Sequence, residues 1–131
     1  YITISTTGNA VDFGDLTVAR LNFAGTSGGG RGVFAGGEAP SNTIDYIAIA
    51  TTGNAVDFGD LTVATNTPAA ASNGERAIFA GGWNGALVGD TRWLNVISYI
   101  TIATTGNATD FGDLTVGGYM GGGTSGFWGA T

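Results

Sequence analysis

The chain has 131 residues, 25 of them Gly, with no Cys, His or Lys and a formal net charge of −6. That length suits one ordinary domain. The missing residue types exclude disulfide frameworks, thiolate or imidazole metal sites, His-based triads and Schiff-base lysines. Ten acids against four arginines oppose nucleic acid or an anionic membrane as partner, and no apolar run approaches the ~20 residues of a membrane helix.

Tyr1 opens the chain where Met would be expected, and the single Met is Met120, which predicts a processed product or a segment of something longer. From Tyr1, Ile2 and Ile4 alternate with Thr3 and Ser5, the period-two pattern of a strand. "TTGNA" at 6–10 then predicts a turn, since Gly and Asn tolerate positive φ and Thr and Asn bond back to the local backbone. "VDFGDLTV" at 11–18 predicts a second strand, with Gly14 placed to bend it or form a bulge. A variable, Gly- and Ser-rich stretch at 20–30 leads into "RGVFAGG" at Arg31–Gly37, where Val33 and Ala35 alternate with Phe34.

The same order then recurs. The 20-residue windows starting at Tyr1 and Tyr46 agree at 17 positions, and those starting at Tyr1 and Tyr99 at 16. "TTGNAVDFGDLTVA" at 6–19 is repeated letter for letter at 51–64, and at 104–117 with Thr109 and Gly117 as the two changes. The second spacing is eight residues longer than the first because of an inserted loop, "WNGALVGDTRW", at Trp83–Trp93. The units are 1–45, 46–98 with the insertion at 83–93, and 99–131, the last stopping where its own "RGVFAGG" would begin. High Gly with Thr, Ile, Val and Phe predicts an all-β protein of short strands and tight turns, and a period of 40–50 residues is typical of propeller blades and related arrays.

The Gly doublets Gly36-Gly37 and Gly81-Gly82, the tyrosines Tyr1, Tyr46 and Tyr99, the aromatics Phe13, Phe58 and Phe111 and the loop arginine Arg20 follow one another in an order that resembles a kelch repeat. Repeats this uniform are similar to those of phage, viral and bacterial structural proteins, and also to consensus-designed arrays. Tyr46 to Phe58 is longer than the usual kelch spacing, and Arg is replaced at Thr65 and Gly118. The resemblance implies four-stranded propeller blades, about 2.75 of them, an incomplete ring. It also implies that the Gly doublets let neighbouring blades approach, with Tyr and Phe filling the wedge between them.

Several residues are candidates for chemistry. "DFG" at 12–14, 57–59 and 110–112 matches a kinase magnesium motif in spelling alone, since the chain has neither Lys nor a catalytic-loop context. Asn9, Asp12 and Asp15, repeated as Asn54, Asp57 and Asp60 and as Asn107, Asp110 and Asp113, gather oxygens of the kind Ca²⁺ takes. Their spacing is not that of an EF-hand loop, and the same side chains serve equally as turn caps. Near-identical units oppose a paired-carboxylate glycosidase, whose two acids need unlike environments. Arg31 and Arg76 are expected to pair with a recurring Asp, or to receive an anion or sugar acid. In the inserted loop, Trp83, Trp93 and Arg92 are the candidate ligand-binding residues: a pair of indoles stacks on a sugar ring or simply packs a longer hairpin. Asn107-Ala108-Thr109 spells a glycosylation sequon, created by one substitution.

The function expected from these features is non-enzymatic. It is a structural and adhesive repeat module of a virion fibre or tail, or of an extracellular filamentous assembly, whose partners are further copies of the same repeat. The alternative is a carbohydrate-binding module acting through the loop aromatics.

Overall fold

The computed structural model describes residues 1–118. Eight strands form in the order β1 (Ala24–Gly28), β2 (Arg31–Ala35), β3 (Ser41–Ala48), β4 (Val56–Thr65), β5 (Ala69–Ser72), β6 (Arg76–Ala80), β7 (Val96–Thr101) and β8 (Thr109–Asp113). A short 3-10 turn, Gly89–Arg92, lies in the inserted loop. Sequential strands pair antiparallel, giving one sheet of order β1-β2-β3-β4 and a second of order β5-β6-β7-β8. Short connections dictate this meander, because a tight turn returns the chain beside the strand it has just left. Neither sheet begins at a repeat boundary. Each opens on the variable stretch and closes on the "DFGD" strand, so it draws on two sequence units.

The propeller expectation is overturned. The two sheets are separate and flat, with no strand pairing between them and no curling towards a ring. The resemblance rested on residue types, and those specify a four-stranded meander without specifying closure. The Gly doublets serve a local purpose instead. Gly36 and Gly37 have φ of +76° and +144°. A Cβ on Gly36 would lie 2.9 Å from the Thr65 carbonyl, and one on Gly37 2.8 Å from Arg20 Cδ. The doublet thus turns the chain after β2 and leaves room for the segment joining the sheets and for an arginine. The tyrosines and phenylalanines fill no wedge between blades: each pair meets edge to face across adjacent segments, Tyr46 and Phe58 at 5.8 Å and 86°.

The first repeat copy also departs from expectation. Residues 1–23 carry no assigned strand, and Ile4 is 95% exposed. Tyr1 and Val11 exchange hydrogen bonds of 2.6 and 2.9 Å, and Tyr1 meets Phe13 edge to face at 5.9 Å, so a rudiment of the β3–β4 pairing survives. Among the described residues no strand lies beside Tyr1–Ser5 in the place β2 takes beside β3. A lone two-stranded ribbon is marginal in water. The variable segment expected from Gly118 onward falls outside the described residues.

Both sheets contribute to one core. Val33, Ala35, Ile44, Phe58 and Leu61 from the first sheet pack in the same cluster as Ala77, Phe79 and Ile100 from the second, with Ile102 just beyond β7. Alternation along each strand sends these residues to the shared side. Ile44, Val33 and Ile102 are fully buried.

Candidate functional site

The repeated "DFGD" text makes its most distinctive structure at the edge of each sheet. In β3–β4, Ile44 faces Gly59 and Asp45 faces Asp57, which leaves Phe58 as an extra, bulged residue. In β7–β8, Ile97 faces Gly112 and Ser98 faces Asp110, so Phe111 is bulged in the same way. The glycines that follow have φ of +141° and +133°. Glycine is favoured at such a φ, and the bulge twists the strand; Gly14, where the sequence predicts the same bend, lies outside any strand.

The bulge turns backbone groups of an edge strand outward, and the next repeat unit covers them. The Phe58 carbonyl accepts from Gly106 N–H at 2.7 Å and the Asp60 carbonyl from Ala108 N–H at 2.7 Å. Asn107 Oδ1 accepts from Asp60 N–H at 3.1 Å. One unit earlier the same three bonds recur: Gly53 to Phe13 and Ala55 to Asp15, each 2.8 Å, with Asn54 Oδ1 accepting from Asp15 N–H at 3.0 Å. The "TTGNA" turn of each later unit is thus clasped onto the "FGD" edge of the unit before it. The fit requires glycine. A Cβ on Gly14 would lie on the Gly53 carbonyl, and one on Gly59 on the carbonyl of Gly106.

This geometry accounts for the candidate calcium ligands. Asn54 and Asn107 are spent on the preceding unit's backbone rather than on their own aspartates. Asp12 and Asp110 accept from the backbone amides of Gly14 and Gly112 at 3.1 and 3.0 Å, as turn caps. Asp57 lies in the β3–β4 ladder, and Asp15, Asp60 and Asp113 enter through their main chains. Asn9 makes no hydrogen bond among the described residues. Among those residues, no three carboxylates gather into a group able to hold a metal ion.

The arginines behave differently from expectation. Arg31 donates to the Ile102 carbonyl at 2.7 Å and lies 4.4 Å from the Tyr46 ring centroid. Arg76 lies 5.1 Å from that of Tyr99. Neither has a carboxylate partner among the described residues: a guanidinium above an aromatic face is already satisfied in part by the ring quadrupole. The ion pair lies elsewhere. Arg20 Nη1 meets Asp45 Oδ2 at 2.6 Å with both side chains buried, 3% and 0% exposed. Thr17 Oγ1 donates to the other carboxylate oxygen at 2.5 Å. One unit later, Thr62 of β4 and Ser98 of β7 share a hydrogen bond of 2.6 Å at the corresponding place, across the two sheets, and Thr65 replaces the arginine. Sequence reading passed over Asp45. The signal was available, since Asp45 and Ser98 each precede the repeated Tyr and change together with Arg20 and Thr65.

The inserted loop folds back on itself. Trp83 and Trp93 face each other in an antiparallel bridge, and Asn84 N–H donates to the Arg92 carbonyl at 2.9 Å. Gly85 sits under the Trp83 indole, where a Cβ would collide with the ring. Arg92 Nε donates to the Gly89 carbonyl at 3.0 Å, and its side chain is otherwise at the surface. Trp93 is 37% exposed. Trp83, Trp93 and Arg92 are therefore brought to one hairpin.

No protein-family model matches the chain, and no curated protein is significantly similar to it.

Proposed function

We propose that this chain is a non-enzymatic structural and adhesive repeat module that works by contact with further copies of the same repeat, in an extracellular or virion filamentous assembly. One observation carries the reading: an identical three-bond contact between neighbouring units is built twice within 118 residues, from identical text. Selection for one unique reaction centre has no use for such uniformity, whereas repetition multiplies a weak contact into a strong one. The side chains of Asn54, Asn107, Asp12 and Asp110 are occupied in holding backbone amides, which fits a scaffold. Sedimentation velocity and negative-stain microscopy of the purified chain provide the test. Particles larger than one chain support the reading, and a strict monomer at every soluble concentration overturns it.

A second reading, glycan binding, draws on the Trp83–Trp93 bridge, which sets the two tryptophans opposite each other on one loop. Retention on a glycan array that is lost in Trp83→Ala, with assembly unchanged, would establish it in place of a purely structural role for the loop.

A further inference from the structure

Among the described residues the clasp joins three units and leaves two unmatched halves. At one end, Gly8 and Asn9 belong to a "TTGNA" turn whose text is that of the two docked turns. A Cβ on Gly8 would meet nothing within 4 Å. At the other end, the Phe111–Gly112–Asp113 edge repeats the bulge of Phe58–Gly59–Asp60. A Cβ on Gly112 would meet nothing within 4 Å, whereas the equivalents at Gly14 and Gly59 are blocked by a docked turn. Phe58 is 2% exposed beneath its docked neighbour; Phe111 is 60% exposed.

A cleft in each end unit provides a second, independent observation. Beside Tyr99, Thr104, Gly106 and Asn107 lies a cleft of about 340 Å³, and Phe58 of the preceding unit forms one wall. A smaller cleft of about 120 Å³ lies beside the corresponding Tyr1, Thr6, Gly8 and Asn9. Its lining repeats most of the first, with Val11 in the place of Thr109 and no counterpart of Thr105, and no phenylalanine of another unit contributes. Phe111 is the residue that corresponds to Phe58.

We propose that the two halves close on each other between chains: the Thr6–Ala10 turn of a second copy docks on the Phe111–Asp113 edge of the first. Gly8 N–H then donates to the Phe111 carbonyl, Ala10 N–H to the Asp113 carbonyl, and Asn9 Oδ1 accepts from Asp113 N–H. Phe111 becomes the missing wall of the Tyr1 cleft. The occupant is a second copy because the text at 6–10 is letter for letter that of the turn docked at 51–55. The contact joins unlike surfaces, so it propagates from head to tail rather than closing a two-fold dimer. This inference rests on the assembly reading above and assigns its surface.

The test uses the full 131-residue chain in a sedimentation concentration series, with circular dichroism to verify folding. Asn9→Ala removes an acceptor that has no partner among the described residues, and is expected to weaken association about tenfold with unchanged dichroism. Gly112→Ala places a Cβ where the docking backbone must lie, and is expected to abolish association. A chain carrying both Asn9→Ala and Ala10→Pro retains the edge but loses the turn's acceptor and one donor. Mixed with Gly112→Ala, it is expected to give a discrete 1:1 dimer, although neither associates alone. Assembly that continues undiminished in all variants overturns this surface while leaving the assembly reading intact. A wild-type chain that never associates overturns both.

Discussion

The buried Arg20–Asp45 pair shows how much rests on single residues. Both charges are out of water, and Arg20 Nη2 also donates to the Phe34 carbonyl at 3.3 Å. Removing one partner strands the other charge, which typically costs about 3–5 kcal/mol. Arg20→Thr is therefore expected to lower unfolding free energy by that order. Arg20→Thr combined with Asp45→Ser recreates the Thr65 and Ser98 combination found one unit later and should recover most of the loss. Urea denaturation of both singles and the double measures the coupling directly. At the clasp, Asn54→Ala and Asn107→Ala should each cost about 1 kcal/mol, while Asn9→Ala leaves the stability of the isolated chain unchanged. Same residue, same neighbouring text, different consequence: the difference lies in whether a preceding unit offers an amide.

At the scale of elements, the bulged edge strands supply a matched comparison. Gly59 and Gly112 share a positive φ, so Ala is strained at both, by about 1–3 kcal/mol. Only at Gly59 does the added Cβ also meet the backbone of a docked turn. Gly59→Ala should therefore lower the melting temperature more than Gly112→Ala, measured by calorimetry at a concentration where the chain is monomeric. The identical segments 11–19 and 56–64 make a second comparison. Hydrogen exchange should find the amides of residues 61–63 in β4 protected relative to those of residues 16–18, which lie outside any strand. Strand identity and order were legible in the text: the Gly-bent bulge, the "RGVFA" strand and the Tyr strand all lie where alternation and turn residues put them. The loss of the first copy's strands was not legible, because a strand's existence depends on the neighbour it pairs with rather than on its own letters. The clasp was hidden for a related reason. Asn and Asp in "GNAVDFGD" read as one cluster along the chain, yet each Asn acts on the unit before its own.

For the whole molecule, the shared core predicts a single cooperative transition. Phe79 of β6 is 2% exposed within the cluster that also holds Val33 and Ile44 of the other sheet. Phe79→Ala is expected to cost about 3–5 kcal/mol and to shift tryptophan fluorescence and far-ultraviolet dichroism together. Two separated transitions would show that the sheets unfold apart. The architecture as a whole was the least legible feature. Gly doublets and ordered aromatics pointed to blades of a ring, but flatness and the absence of closure are properties of how sheets twist and stack, on which residue types along one strand are silent.

The unlike treatment of one buried place in two otherwise similar sheets has a consequence for folding. Near-identical units offer a folding chain wrong matches of almost the right quality, in which a "DFGD" segment pairs with another unit's Tyr strand. Seating Thr17 and Arg20 beside Ser98 instead of Asp45 would bury a lone guanidinium, and Asp45 beside Thr62 would bury a lone carboxylate. Each mismatch costs several kcal/mol. The ion pair is therefore expected to favour the Asp45 seat over the Ser98 seat, a distinction the repeated text cannot make for itself. Refolding of the Arg20→Thr, Asp45→Ser double variant should accordingly show a slow phase from mispaired chains that the natural sequence lacks.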